Sequence, residues 1–203
     1  MKILGVVHDD THHGLIQLSK YIRKNVKEGQ VVGLEVPDRF ELSKRYFNGS
    51  SKRIIKNYTE SEGNKFFAKV IEEIHRKKAI AVPVESLELS KKENELRELV
   101  EYSDEYEPEV KRSQQYQIYR MGIERAVRML EDTKKHQGNV LIVGAAHAAE
   151  FEHLAPNKTK PQYFLNQNEL KQVNSHVKSY IGRLNENEMK DYARRIEFAL
   201  KER

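Results

Sequence analysis

Two histidines stand at matching places near opposite ends of the chain. His8 closes Gly5-Val6-Val7-His8, and His147 closes Gly144-Ala145-Ala146-His147. Each follows an apolar run, over residues 2–7 in the first case and 140–143 in the second. A short apolar run closed by Gly and followed by small residues reads as a buried parallel strand turning into a helix. In open α/β sheets ligands gather just outside the carboxyl ends of the strands, so both imidazoles are placed where such proteins do their chemistry. Two acids share that placing. Glu35 lies near the carboxyl end of an apolar run over 31–36, and Glu85 directly follows another over 79–84. A carboxylate embedded in apolar sequence is expensive to bury unless it is paired or bound. Arg39, four residues beyond Glu35, is one candidate partner. Arg125 is another: its helical neighbours Ile118, Met121, Gly122 and Met129 turn it toward an apolar flank, which suits a buried acidic partner or an anionic ligand.

Composition narrows the chemistry. The chain of 203 residues is long enough for one sizeable core, and it contains no cysteine. Disulfides and thiolate-bound zinc are thereby excluded, so any transition metal must be held by His, Asp or Glu. A net charge of +5, from 36 basic and 31 acidic residues, permits contact with nucleic acid without implying it. The most basic stretch, 44–56, with Lys44, Arg45, Lys52, Arg53 and Lys56, reads as a solvated helix face first and a phosphate-binding surface second. No segment approaches the length of a membrane span, and MKILGVVHDD turns acidic too soon for a signal peptide. A soluble, cytoplasmic protein is expected.

The elements that must position these residues follow from periodicity. A helix is expected over about 13–27, with Leu15, Leu18, Ile22 and Val26 on one face and Asp9, Asp10 or Thr11 as its cap. Two helices divided at 48–51 are expected over 40–78, the second carrying Phe66, Phe67, Val70, Ile71 and Ile74. A charged helix over 87–101 leads to an acidic break at 104–109. A long helix over about 112–135 follows, with Ile123, Val127 and Leu130 inward and Arg120, Glu124 and Arg128 on a solvent-like face. Beyond the 140–143 strand come a short edge strand at 162–165 and a helix over 170–181. Asn185 with Glu188 then forms a capping box before a last helix carrying Met189, Ala193, Ile196 and Leu200 on one face. The alternation predicts an α/β fold, a mostly parallel sheet of about four to five strands flanked by helices, with helical insertions. One domain over 1–203 is expected, with a motif-bearing core over about 3–151 and a C-terminal helical extension over about 152–203. His12 and His13 read as exposed helix-start residues, and His75, His136, His153 and His176 as surface positions.

Taken in order, Gly5-Val6-Val7-His8, Gly33-Leu34-Glu35 with Arg39, Glu124-Arg125 with Met129, and Val143-Gly144-Ala145-Ala146-His147 resemble the motifs of the TraB/PrgY/GumN family. That family includes the Tiki metalloproteases and is more distantly related to erythromycin esterase and ChaN-like proteins. Val84-Glu85-Ser86 looks like the Leu-Glu-Thr element of GumN-like members. The chain departs from the pattern at Ala126 and at Ala148-Ala149-Glu150 after the second histidine. The resemblance implies an α/β fold with the histidines and an acid at one sheet edge, and divalent-metal-dependent proteolysis. On that basis His8, Glu35 and His147 are the metal ligands, a donor set suited to Mn, Co, Fe or Zn. Glu85 (or Glu35) takes the proton of a metal-bound water, and Arg125, with Arg39, holds an anionic group or an oxyanion. A peptide or small-molecule substrate is implied. A metal-free esterase with His as general base stays open, as does a non-catalytic protein binding a small molecule, a peptide or a haem-like ligand.

Overall fold

Parallel strands need crossovers, and the helices between these strands supply them. The computed structural model describes residues 1–8, 12–37, 65–101 and 108–201, His12 by its backbone alone. Five strands, β1 (Lys2–Val6), β2 (Val31–Pro37), β3 (Ile80–Glu85), β4 (Val140–Gly144) and β5 (Gln162–Phe164), form one sheet in the order β3-β2-β4-β1-β5. Every pairing in it is parallel. Seven helices accompany them among the described residues: α1 (His12–Asn25), α2 (Lys65–Arg76), α3 (Leu87–Glu101), α4 (Pro108–Lys135), α5 (Ala145–Leu154), α6 (Gln167–Ile181) and α7 (Glu186–Leu200). The expected cap at 9–11, the helix over 40–64, Arg39, the basic stretch 44–56 and the acidic break at 104–107 lie outside the described residues.

The order of the strands places the helices. The chain winds outward from β1 through β2 to β3, then reverses to insert β4 between β2 and β1 and to add β5 at the far edge. With right-handed crossovers, such a reversal moves the connections to the other face. Leu18 and Ile22 of α1 and Phe66, Phe67, Ile71 and Ile74 of α2 accordingly pack on Leu4, Val6, Val32, Leu34 and Ile142. Opposite them, Ile123, Val127 and Leu130 of α4, Phe151 of α5, Val177 of α6 and Ile196 of α7 pack on Ile3, Val82, Val84, Leu141 and Val143. Neighbouring strands β1 and β4 therefore send their connections to opposite faces, which opens a crevice at their carboxyl ends.

Small residues set how closely the layers approach. A Cβ on Gly33 would lie 2.2 Å from Oγ1 of Thr133, whose hydroxyl donates to the Met129 carbonyl on α4. A Cβ on Gly5 would lie 2.8 Å from Cβ of Ala148 on α5. Thr133 is fully buried and branched at Cβ, so it cannot swing aside without losing its bond. Gly33→Ala is expected to cost about 1–3 kcal/mol as overpacking, read as a lower urea midpoint. A wild-type midpoint would show that α4 shifts freely over β2.

Several expectations are corrected by packing. The last helix buries Tyr192, Ile196 and Ala199, while Met189 is exposed, so its inward stripe is rotated from the one expected. On the Arg120, Glu124 and Arg128 face the two arginines are exposed as expected, but Glu124 is half-buried under α7: Arg195 donates to both Glu124 and Glu131, and Arg120 pairs with Glu188. His75 is buried rather than on the surface. The expected Asn185–Glu188 capping box is present, and Asn166 with Glu169 forms a second one that starts α6 three residues earlier than periodicity suggested.

Candidate active site

The carboxyl ends of β1, β2 and β4 lie side by side, with Val6 opposite Gly144 and Leu34 opposite Ile142. That register carries His8, Glu35 and His147 to one place. The two Gly-x-x-His units are nonetheless not equivalent. His8 lies in the coil just past β1, beside the rings of Phe66 and Phe67, and is the exposed member with a side chain 33% accessible. His147 lies in the first turn of α5 and is only 12% accessible, more buried than a rim position implies. Glu35 sits between them, 9% accessible. His8 Nε2 is 3.3 Å from one carboxylate oxygen of Glu35, and His147 Nε2 is 3.5 Å from the other. The Gly144 N–H, at the amino end of α5, donates to the same carboxylate, so the helix dipole also faces it. A Cβ on Gly144 would sit 3.2 Å from Glu35 Oε2 and 3.5 Å from His8 Nε2, so a bare backbone at this position keeps the crevice open.

Arg125 reaches in from α4, as its sequence neighbours suggested. Its Nη1 donates to Glu93 at 2.5 Å, its Nη2 donates to Glu85, and Nη2 also lies 3.9 Å from Glu35. Both terminal nitrogens are thus committed to carboxylates, which leaves Arg125 a holder of acids rather than a free anion-binding group. Glu85 and Glu35 are both near it, so the inward arginine and the two strand-end acids form one cluster. Two members were not picked out from the sequence. Glu93 is the buried residue of the otherwise charged helix α3, and Arg97 donates to it from one turn on. Glu150 accepts from His147 Nδ1 at 2.8 Å and from the Tyr180 hydroxyl. A carboxylate isolated at i+3 from a strand-end histidine is the signal that would have found Glu150.

Charge explains the protonation of the cluster. Burial works against the charge of Glu35, but His147, His8 and the Gly144 N–H outweigh it and hold the carboxyl down at about 2. Burial likewise opposes an imidazolium at His147, yet Glu150 and Glu35 push its pKa up to about 9. Glu85 goes the other way: burial and the neighbouring Glu35 raise it against the pull of Arg125. For Glu93 burial is overcome by Arg125 and Arg97, which hold it below the usual carboxylate range. Glu35, Glu85 and Glu93 face the guanidinium of Arg125, Glu93 that of Arg97 as well, and Glu150 faces His147. Positive charge at His147, or from a cation, adds to the balance.

The donors fit a divalent metal in type. Imidazole nitrogen and carboxylate oxygen are the ligands of Mn, Fe, Co and Zn sites. Bonds of about 2.0–2.2 Å place adjacent ligand atoms roughly 3–3.5 Å apart, which is the spacing of the two imidazole nitrogens from Glu35. Among the described residues no three His, Asp or Glu side chains stand ready as a metal cage. Glu35 contacts both rings directly, so taking up an ion means exchanging those contacts for bonds to it. No helix of the described residues is long and apolar enough to cross a membrane. Comparison of the chain with protein-family models, with curated proteins and with solved structures finds no match.

Proposed function

We propose that the chain is a metal-dependent hydrolase of peptide or related amide and ester bonds, with His8, Glu35 and His147 holding a divalent ion of the Mn, Co, Fe or Zn type. The observation that carries this is the convergence of two imidazole Nε2 atoms, from two strand ends, on the two oxygens of one carboxylate. The resemblance of the Gly-x-x-His units to those of Tiki-like proteins supports the same reading. A metal bound there would activate water and polarise the scissile carbonyl. The chain's own groups do the rest. Glu85, with its pKa raised by burial and by Glu35, is suited to take and return a proton. Arg125 holds Glu85 and Glu93 in place. His8, the exposed member, marks the side from which substrate enters.

One observation favours a second reading. An exposed imidazole facing a largely buried carboxylate at 3.3 Å is also the base-and-orienter pair of metal-free hydrolases. Elemental analysis after equilibration with Mn, Co, Fe or Zn separates the two. About one ion per chain is expected in the wild type and none in His147→Ala. If neither protein holds metal and ester hydrolysis still depends on His8, the metal reading falls and the dyad takes its place. His147→Ala is also expected to cost about 1–3 kcal/mol, because it takes one partner from each of two buried carboxylates, leaving Glu35 to His8 and the Gly144 N–H and Glu150 to the Tyr180 hydroxyl.

A further inference from the structure

We infer that Glu150, itself held by Tyr180, is a positioning residue that fixes which ring nitrogen of His147 faces the site. Its consequence for metal affinity rests on the metal-site reading above; the orientation itself does not. His147 and Glu150 lie one turn apart on α5, with Nδ1 2.8 Å from the carboxylate. An ionised carboxylate only accepts, so Nδ1 carries a proton and Nε2 is the nitrogen presented to Glu35. Left alone, Glu150 would be free to turn about its own side-chain bonds. Its second oxygen is taken by the Tyr180 hydroxyl of α6, and the Tyr180 ring lies flat on Tyr119 of α4, with centroids 4.6 Å apart and planes 9° from parallel. Both oxygens are therefore engaged from opposite sides, and the tyrosine that engages one of them is itself clamped.

A buried carboxylate is a costly way to fill space, and Glu150 is only 3% exposed. Its geometry is instead that of the outer carboxylate which orients a metal-binding histidine through the other ring nitrogen. Tyr180 belongs to the part of the chain expected from sequence to be an extension beyond the motif-bearing core. Through Glu150 it reaches the site, and α6 thereby becomes part of the apparatus that holds His147.

The test uses the full chain, zinc as the probe, and two readings. Zinc affinity is measured by chelator competition, and the protonation of each His147 nitrogen by long-range proton–nitrogen NMR. In the wild type zinc is expected on Nε2, with a hydrogen-bonded proton on Nδ1. Glu150→Gln should bind zinc about 10–100-fold more weakly, and its Nδ1 proton signal should move or vanish. Tyr180→Phe should shift both readings in the same direction by less, and carries the test should Glu150→Gln fail to fold. Unchanged affinity and an unchanged Nδ1 signal in both variants would overturn the inference, as would zinc on Nδ1. If the wild type takes up no zinc, the metal reading fails by itself. An Nδ1 proton signal lost in Glu150→Gln would then still uphold the orientation, and its absence from the wild type would overturn it.

Discussion

Arg125→Leu is expected to lower the unfolding free energy at pH 7 by about 3–5 kcal/mol, the usual result of removing one partner from a buried charge cluster. The size follows from what is left behind. Arg125 donates to Glu85 and Glu93 and lies 3.9 Å from Glu35, and all three carboxylates are largely buried. Glu93 keeps Arg97, but Glu85 keeps no comparable partner among the described residues and already has its pKa raised by burial and by Glu35. In the variant Glu85 and Glu35 repel one another with nothing between them. Protonation relieves that repulsion, so the loss should shrink when stability is measured at pH 5. The double variant Arg125→Leu with Glu85→Gln should regain part of it at pH 7. Urea unfolding at the two pH values checks both statements. A loss below about 1 kcal/mol that does not change with pH would mean that the arginine is dispensable to the cluster.

What could be read from the sequence, and what could not, divides along the range of the forces involved. The strands β1, β2, β3 and β4 were legible because each is a short apolar run ended by His, Pro, an acid or Gly in turn, a local signal. The grouping of His8, Glu35, Glu85, Arg125 and His147 followed from one rule, that strand carboxyl ends share an edge, together with the helical neighbours of Arg125. The insertion of β4 between β2 and β1 was not legible, because pairing between strands distant in sequence leaves no local mark. The helix faces failed for a related reason. Glu124 looks solvent-facing when α4 is considered alone, and only the docking of α7, with Arg195 between Glu124 and Glu131, covers it. Glu93 and Glu150 were hidden in the same way. Each is an acid in a polar or small-residue helix, and its burial is decided by a partner more than thirty residues away or on another element. Gly-x-x-His marked two histidines that the fold brings to one carboxylate, but it joined two different local structures, a coil after β1 and a helix start after β4.

The metal-free protein is expected to be most stable, as far as this cluster decides it, between about pH 4.5 and 6.5, and to lose about 3 kcal/mol toward either side. Glu35 has its pKa depressed from 4.5 to about 2, so its contribution is present above 4.5 and disappears as pH falls toward 2. His147 has its pKa raised from 6.5 to about 9. Its contribution is present below 6.5 and disappears as pH rises toward 9. A shift of that size corresponds to about 3 kcal/mol. The two groups share the contact between His147 Nε2 and Glu35, so one interaction is lost from either end and the two losses are not added. Glu85 acts with the opposite sign: its raised pKa means that folding opposes its ionisation, which trims stability as pH rises above 4.5. Denaturation from pH 2 to 9.5 gives the whole curve. Glu35→Gln should flatten the acid limb and His147→Gln the alkaline one. An alkaline limb unchanged in His147→Gln would show that His147 is neutral in the metal-free fold. Its Nε2 would then carry a lone pair toward Glu35, an arrangement that only a cation between them would stabilise.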